Sequence, residues 1–196
     1  MAANRAVVLD ACVLAEAAVT DLFLRLAALP NLVRPRWSAL IWFETTRTCI
    51  EKLGWDAAIA EARMRAATEY FPEAMIEGFE VLIPKCENHP QDRHVLAAAI
   101  HSRTPTIVTF NVKDFKSPAL EPWGILAVHP ADYLKFLYDH DPLAVMDALE
   151  SMAIRSRRNV PEVLGRLAWH VRPFSEYLAS SCSIDLPNIA PSDWRR

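Results

Sequence analysis

Four carboxylates in this chain fall where chemistry could be done. Asp10 follows an apolar run at 5–9, and Asp92 opens an alanine-rich stretch. Asp114 comes soon after a β-branched run at 106–110, and Glu44 lies in the second turn of a helix expected to start after Ser38. Oxygen ligands suit hard divalent ions such as Mg²⁺ or Mn²⁺, which keep several waters and also take up substrate phosphate. Two carboxylates about 4 Å apart repel by roughly 4 kcal/mol at an effective dielectric of 20, so such a cluster calls for a cation or a shared proton. Each acid also has a plainer explanation. Asp10 and Asp92 can cap helices, a bond worth about 1 kcal/mol. Glu44, with Arg47 and Glu51 further along, can be an exposed face of weak ion pairs. Capping does not explain why the acids recur on one edge.

That edge follows from the elements. Residues 5–9 read as a buried strand, 11–29 as one or two helices, and 31–37 as a second strand entered at Pro30. Ser38 can cap a helix to about Leu53, which Gly54 stops; 55–71 is a further helix. A short turn past Gly78 leads to a third strand at 79–83, ended by Pro84. The loop at 87–91 delivers Asp92 to a helix with Val95, Leu96, Ala99 and Ile100 at helical spacing. Strands at 106–110 and 125–129 complete the set. Strand and helix in alternation predict an α/β fold: a three-layer α/β/α sandwich with a parallel central sheet, whose ligand crevice lies beyond the carboxyl ends of the strands. From about Pro130 the strand signals stop. Three segments, 130–140, 142–157 and 161–171, each carry proline near the first helical position, and Asp141 can cap the second. A helical C-terminal appendage is expected, its seven acids balanced by seven arginines from Asp141 onward.

Composition narrows the function. The chain has 196 residues, of which 52% are hydrophobic, enough for one domain with an appended part. No run of about 18 apolar residues and no secretory leader is written, so a cytoplasmic protein without membrane contact is expected. The four cysteines make no CxxC pair and are assigned no chemical role. A net charge of −3 argues against a broad basic face for duplex nucleic acid. Four glycines, at 54, 78, 124 and 165, cannot supply a phosphate-cradling loop, and GxSxG is absent. His94 and His101 share a helix face but are expected to support rather than to ligate. Trp37, Trp42 and Phe43 could stack on bases, yet aromatics at a strand-to-helix junction read first as core.

The segments VVLDAC, RPRWSALIWFE, DRHVLAAAI and TFNVKDF together resemble the four motif regions of PIN-domain ribonucleases, most of all the VapC-like toxins of bacterial toxin–antitoxin pairs. The resemblance covers about residues 5–136, which implies a PIN-like nuclease domain at 1–136 and a helical extension at 137–196. Carried over by position, it implies metal-binding and catalytic acids at Asp10, Glu44, Asp92 and Asp114, with Asn111 helping to hold the last motif. Arg47, Arg93 and Lys113 lie near enough in sequence to guide an RNA backbone. The implied function is a Mg²⁺- or Mn²⁺-dependent endoribonuclease acting on RNA, with a small antitoxin protein as partner; a homodimer is compatible with it. One departure is His89, where many relatives carry an aspartate before the third motif. Two other functions compete: a catalytically silent PIN-fold binding module, and a receiver-type phosphoacceptor domain. The last would need an acid beside Asp10, where the chain has Ala11.

Overall fold

The computed structural model describes residues 5–28 and 32–187. Leu29, Pro30 and Asn31, named above at the end of a helix and the entry to a strand, lie outside the described residues. Strand β1 (Ala6–Leu9) is wholly buried and leads through Asp10 into α1 (Ala11–Ala15) and α2 (Ala17–Ala28). Strand β2 (Arg34–Ser38) ends at the cap of α3 (Ala39–Glu51), where the Ser38 hydroxyl accepts from the Ile41 amide at 3.3 Å. Gly54, at φ +68°, turns the chain towards α4 (Ala57–Tyr70). Then come the short strand β3 (Met75–Ile76), helix α5 (Arg93–His101), strand β4 (Thr106–Val108), helix α6 (Ser117–Leu120) and strand β5 (Leu126–Val128). The chain closes with α7 (Pro130–His140), α8 (Pro142–Ser156) and α9 (Val160–Cys182).

Among the described residues the five strands form one parallel sheet in the order β3-β2-β1-β4-β5. The chain moves outward from β1 to β2 and β3, then crosses back to β4 on the other flank. Because parallel crossovers are right-handed, this reversal sends α5 to the face opposite α2. The expected α/β sandwich is therefore present. Its reversal point lies between β1 and β4, the place where such sheets open a crevice at their carboxyl ends.

One expected strand is absent. Residues 79–83 do not pair in the sheet; Glu80–Lys85 winds as a 3₁₀ helix, and β3 forms earlier, against Trp37 and Ser38. The burial explains it. Phe79 is buried and Leu82 and Ile83 are half-buried, whereas Val81 is 75% exposed. A strand would put 79, 81 and 83 on one side, while a period near three puts Phe79 and Leu82 inward. The last helix also differs, running on beyond Val171. Pro173 removes an amide and crowds the carbonyl four residues back, and the helix kinks at Val171 (φ −128°, ψ 45°) instead of ending.

Helices α8 and α9 pack on α2 and on α7. Val145, Leu149, Leu164, Leu167, Phe174 and Leu178 are fully buried in the same apolar cluster as Val7, Val8 and Leu9 of β1. The C-terminal helices therefore share a core with the sheet. Leu167→Ala should lower the unfolding free energy of the whole chain by about 2–5 kcal/mol, the usual cost of such a cavity, in a single urea transition. A separate early transition, with the sheet's own transition unmoved, would show the helices to be an independent unit.

Candidate active site

The register Leu9↔Val108 sets the ends of β1 and β4 side by side, so that Asp10 and Thr109 emerge together. Asp10 is only 2% exposed. Its Oδ1 accepts from the Ala11 amide at 2.6 Å, and its Oδ2 accepts from the Thr109 hydroxyl at 2.6 Å and the Cys12 thiol at 3.1 Å. Burial pushes the Asp10 carboxyl above its ordinary range, against the pull of these bonds and of His94. Cys12, given no role from sequence, is thus a neighbour of the central acid. Its own proton is held firmly, the thiol being pushed up to about 12 by burial and by the Asp10 charge, and its sulfur accepts from the Phe110 amide at 3.3 Å.

Asp92 enters from the opposite direction. A 3₁₀ turn (Pro90–Asp92) places it at the start of α5, but its side chain makes no capping bond. Its carboxyl is raised to about 6, first by burial, then by Asp10 and Asp114, and also by Glu44; His89 pulls the other way. His89 Nδ1 lies 3.3 Å from Asp92 Oδ2, so the residue that departs from the motif pattern faces the third acid directly. Glu44 comes from α3 and meets the buried His94, with Nε2 to Oε2 at 3.4 Å. The other ring nitrogen of His94 is 3.0 Å from the Gln91 carbonyl. Burial opposes charge on His94, but the contact with Glu44, the Gln91 carbonyl and the field of Asp10 outweigh it and raise its pKa. The supporting role read for His94 fits this geometry.

Asp10, Glu44 and Asp92 line one polar cleft of about 420 Å³, together with Cys12, Arg47, Thr48, Lys52, Gln91 and Asn111. Asp114 closes a 3₁₀ turn (Val112–Asp114) and is half-buried; it does not line the cleft, yet its charge is felt at Asp92. Its backbone ties the loops together: its carbonyl accepts from the His89 amide at 3.1 Å, and its amide donates to the Asn111 carbonyl at 2.9 Å. The Asn111 amide donates in turn to the Thr109 hydroxyl at 3.0 Å.

Two of the residues named for the RNA backbone stand elsewhere. Arg93 turns back to the Asn88 carbonyl, with Nε at 3.4 Å, and Lys113 is exposed on the turn before Asp114; neither lines the cleft. One step along a helix rotates a side chain by about 100°, so adjacency to Asp92 did not carry Arg93 to the same side. Lys52 and Thr48 were missed, although their spacing from Glu44, i+8 and i+4, puts them on its face. Among the described residues, no group of three or more His, Cys, Asp and Glu side chains is gathered closely enough to hold a metal ion. A second groove of about 460 Å³ between α2 and α4 is larger, but it gathers Arg25, Arg63 and Arg155 around the single acid Asp21 and brings no carboxylates together. The smaller cleft therefore holds the candidate chemistry.

No family model matches the chain, and no solved structure matches it either. Over 90 residues it is 42% identical to a protein of Mycobacterium tuberculosis named "Putative ribonuclease VapC50", a match covering 45% of this chain and 50% of that protein. The chain thus spans about half the length of the curated relative it matches. Among the described residues no helix is long and apolar enough to cross a membrane. Over the matched 90 residues, the chain is thus similar to a protein named as a putative VapC ribonuclease, and the residues singled out by position stand around the end of a parallel sheet.

Proposed function

We propose that this protein is a divalent-cation-dependent endoribonuclease, the cytoplasmic toxin of a toxin–antitoxin pair, with the catalytic machinery in residues 1–136 and the helices of 137–196 supporting it. The observation that carries the reading is the convergence of acids from separated segments: Asp10, Glu44 and Asp92 line one polar cleft, and the charge of Asp114 is felt at Asp92. A small antitoxin would silence the enzyme by covering the cleft, a partner suggested by the relative's VapC name.

The donor set fits a hard cation in kind and in sign. It offers carboxylate oxygens, one of them almost fully buried, and burial together with the charges of Asp10 and Asp114 raises the Asp92 carboxyl to about 6. Asp10, Asp92 and Glu44 would hold Mg²⁺ or Mn²⁺, with Asp114 acting from outside the cleft lining by its charge. When bound, the cation lowers the pKa of a water and neutralises charge on the phosphoryl oxygens. The chain's own groups do the rest. Thr109, Cys12 and the Ala11 amide fix both oxygens of Asp10. His94 fixes Glu44, and so holds the carboxylate that would orient the attacking water. Arg47 and Lys52 bring positive charge to the cleft for the RNA phosphates, and Asn111 borders it. Hydrolysis joins the water oxygen to phosphorus, breaks one phosphorus–ester oxygen bond and passes a proton to the departing oxygen.

Replacing a carboxylate by its amide separates this function from capping, since asparagine caps about as well as aspartate but lacks the charge a cation needs. Asp10→Asn and Asp92→Asn should stay folded and lose most Mg²⁺- or Mn²⁺-dependent cleavage of single-stranded RNA. Asp114→Asn should lose less, and Glu44→Gln should behave like the first two. Equal cleavage by parent and Asp92→Asn, at matched folded fraction, would make the acids structural and leave a silent binding module as the better reading.

The raised Asp92 carboxyl also predicts a pH effect in the metal-free protein. A carboxyl with a folded-state pKa of about 6 and an ordinary value of 3.8 binds more protons folded than unfolded between those limits. It therefore takes stability away as pH rises through that window. In chelator, thermal melts of Asp92→Asn should exceed those of the parent above pH 6, with the gain vanishing below pH 3.8. Adding Mn²⁺ at pH 7.5 should raise the parent's Tm and not that of the variant. A gain that does not depend on pH would contradict the carboxylate repulsion.

A further inference from the structure

Helix α3 presents Glu44 and Thr48 to the cleft, with Arg47 and Lys52 beside them. The residue before Glu44 is Phe43, and its ring is 64% exposed. Its neighbours in the aromatic cluster behave differently. Trp37 and Trp42 are 0% and 2% exposed and meet edge to face at 5.5 Å inside the core. A single exposed ring is ordinary on a protein surface; what sets this one apart is that it precedes Glu44 and stands one turn, i to i+4, from Arg47, which lines the cleft. The Arg47 guanidinium carbon sits 5.9 Å above the centre of that ring. One residue thus both borders the acidic cleft and covers an aromatic face.

We propose that Phe43 is a stacking subsite for an unpaired nucleobase, with Arg47 holding the adjoining phosphate. The proposal rests on the ribonuclease reading and names the class of substrate: RNA with at least one base unstacked next to the scissile bond. A paired base has both faces covered by its neighbours and cannot lie on the ring, whereas a splayed base can. Charge favours RNA over a second copy of the chain. Arg47, the cation over the ring, also lines the acidic cleft, and one ring with Leu40, 41% exposed a turn earlier, is far below the ~800 Å² per partner of a stable protein interface. Because every base has a π-face, this subsite sets the register of the strand and reads no particular base.

The test is an abasic scan. Fluorescein-labelled single-stranded RNA oligonucleotides, each lacking one base, are bound to the full chain in chelator and followed by anisotropy. The same oligonucleotides are tested for cleavage in Mn²⁺. For the parent, removal of one base should weaken binding about tenfold or more, and removal of the others much less. Phe43→Ala should bind the intact oligonucleotide as weakly as the parent binds that abasic one, and should be indifferent to the missing base; Phe43→Trp should restore the effect. An equal abasic penalty in parent and Phe43→Ala overturns the subsite, as does a change from dimer to monomer in Phe43→Ala with the scan unaltered. Cleavage by the parent without a Phe43-dependent scan refutes the subsite alone. A Phe43-dependent scan without cleavage refutes the nuclease and keeps the subsite, and absence of both binding and cleavage removes the two together.

Discussion

The arrangement depends on keeping the Asp10 carboxylate in place at 2% exposure. Burying an ionised carboxyl is costly unless its oxygens are bonded, and here both are, by Thr109, Cys12 and the Ala11 amide. Ala11 and Cys12 are neighbours of Asp10 in sequence, whereas Thr109 reaches it only because β1 and β4 pair in a register that brings 10 and 109 together. The bonds offset part of the desolvation and leave the pKa still raised. Each further acid brought to the cleft adds to the strain, and Asp92, the least supported, shows it by holding its proton to about 6. The carboxylates of Asp10, Glu44 and Asp92 share this cleft with the cations of Arg47 and Lys52. The reversal of strand order supplies the crevice.

Much of the scaffold was legible in the chain because its signals are local. The β-branched runs at 6–9 and 106–108 are strands, and prolines with Asp141 mark the starts of the later helices. The 79–83 segment misled because its residue types favour a strand while its burial has a helical period, and only tertiary packing shows which period wins. Of the acids, Asp10 alone directly follows a strand; Asp92 and Asp114 close 3₁₀ turns, and Glu44 rides a helix. Their supports were not legible. Thr109 becomes a partner of Asp10 through register, which sequence does not fix, and a count of cysteines that argues against disulfides and zinc is silent on the thiol of Cys12 donating to a carboxylate two residues away.

Three consecutive residues of α3 show why composition alone cannot assign a role. Trp42, Phe43 and Glu44 follow one another at about 100° around the helix. The first is core, the second faces solvent, and the third faces the cleft. Reading the aromatics as a group places Phe43 with the tryptophans. Reading them by angle from Glu44 separates them, since Arg47 lies one turn beyond Phe43 on the adjoining stripe.

The same geometry explains why the C-terminal helices matter to a cleft they do not line. Phe110 leaves the end of β4 between Thr109 and Asn111, and its ring meets His129 at 5.3 Å and His170 of α9 at 6.4 Å. His170 also reaches Glu16, at the end of α1, at 3.1 Å. The kink at Val171 falls one residue later, so the direction of α9 changes just where it touches both loops that flank Asp10. Thr109 can hold Asp10 only while the 109–111 backbone stays fixed, and the ring of Phe110 is the part of that backbone's neighbourhood anchored away from the acids. The Phe110 ring thus joins α9 to the segment that carries Thr109, the donor to the buried Asp10 carboxyl.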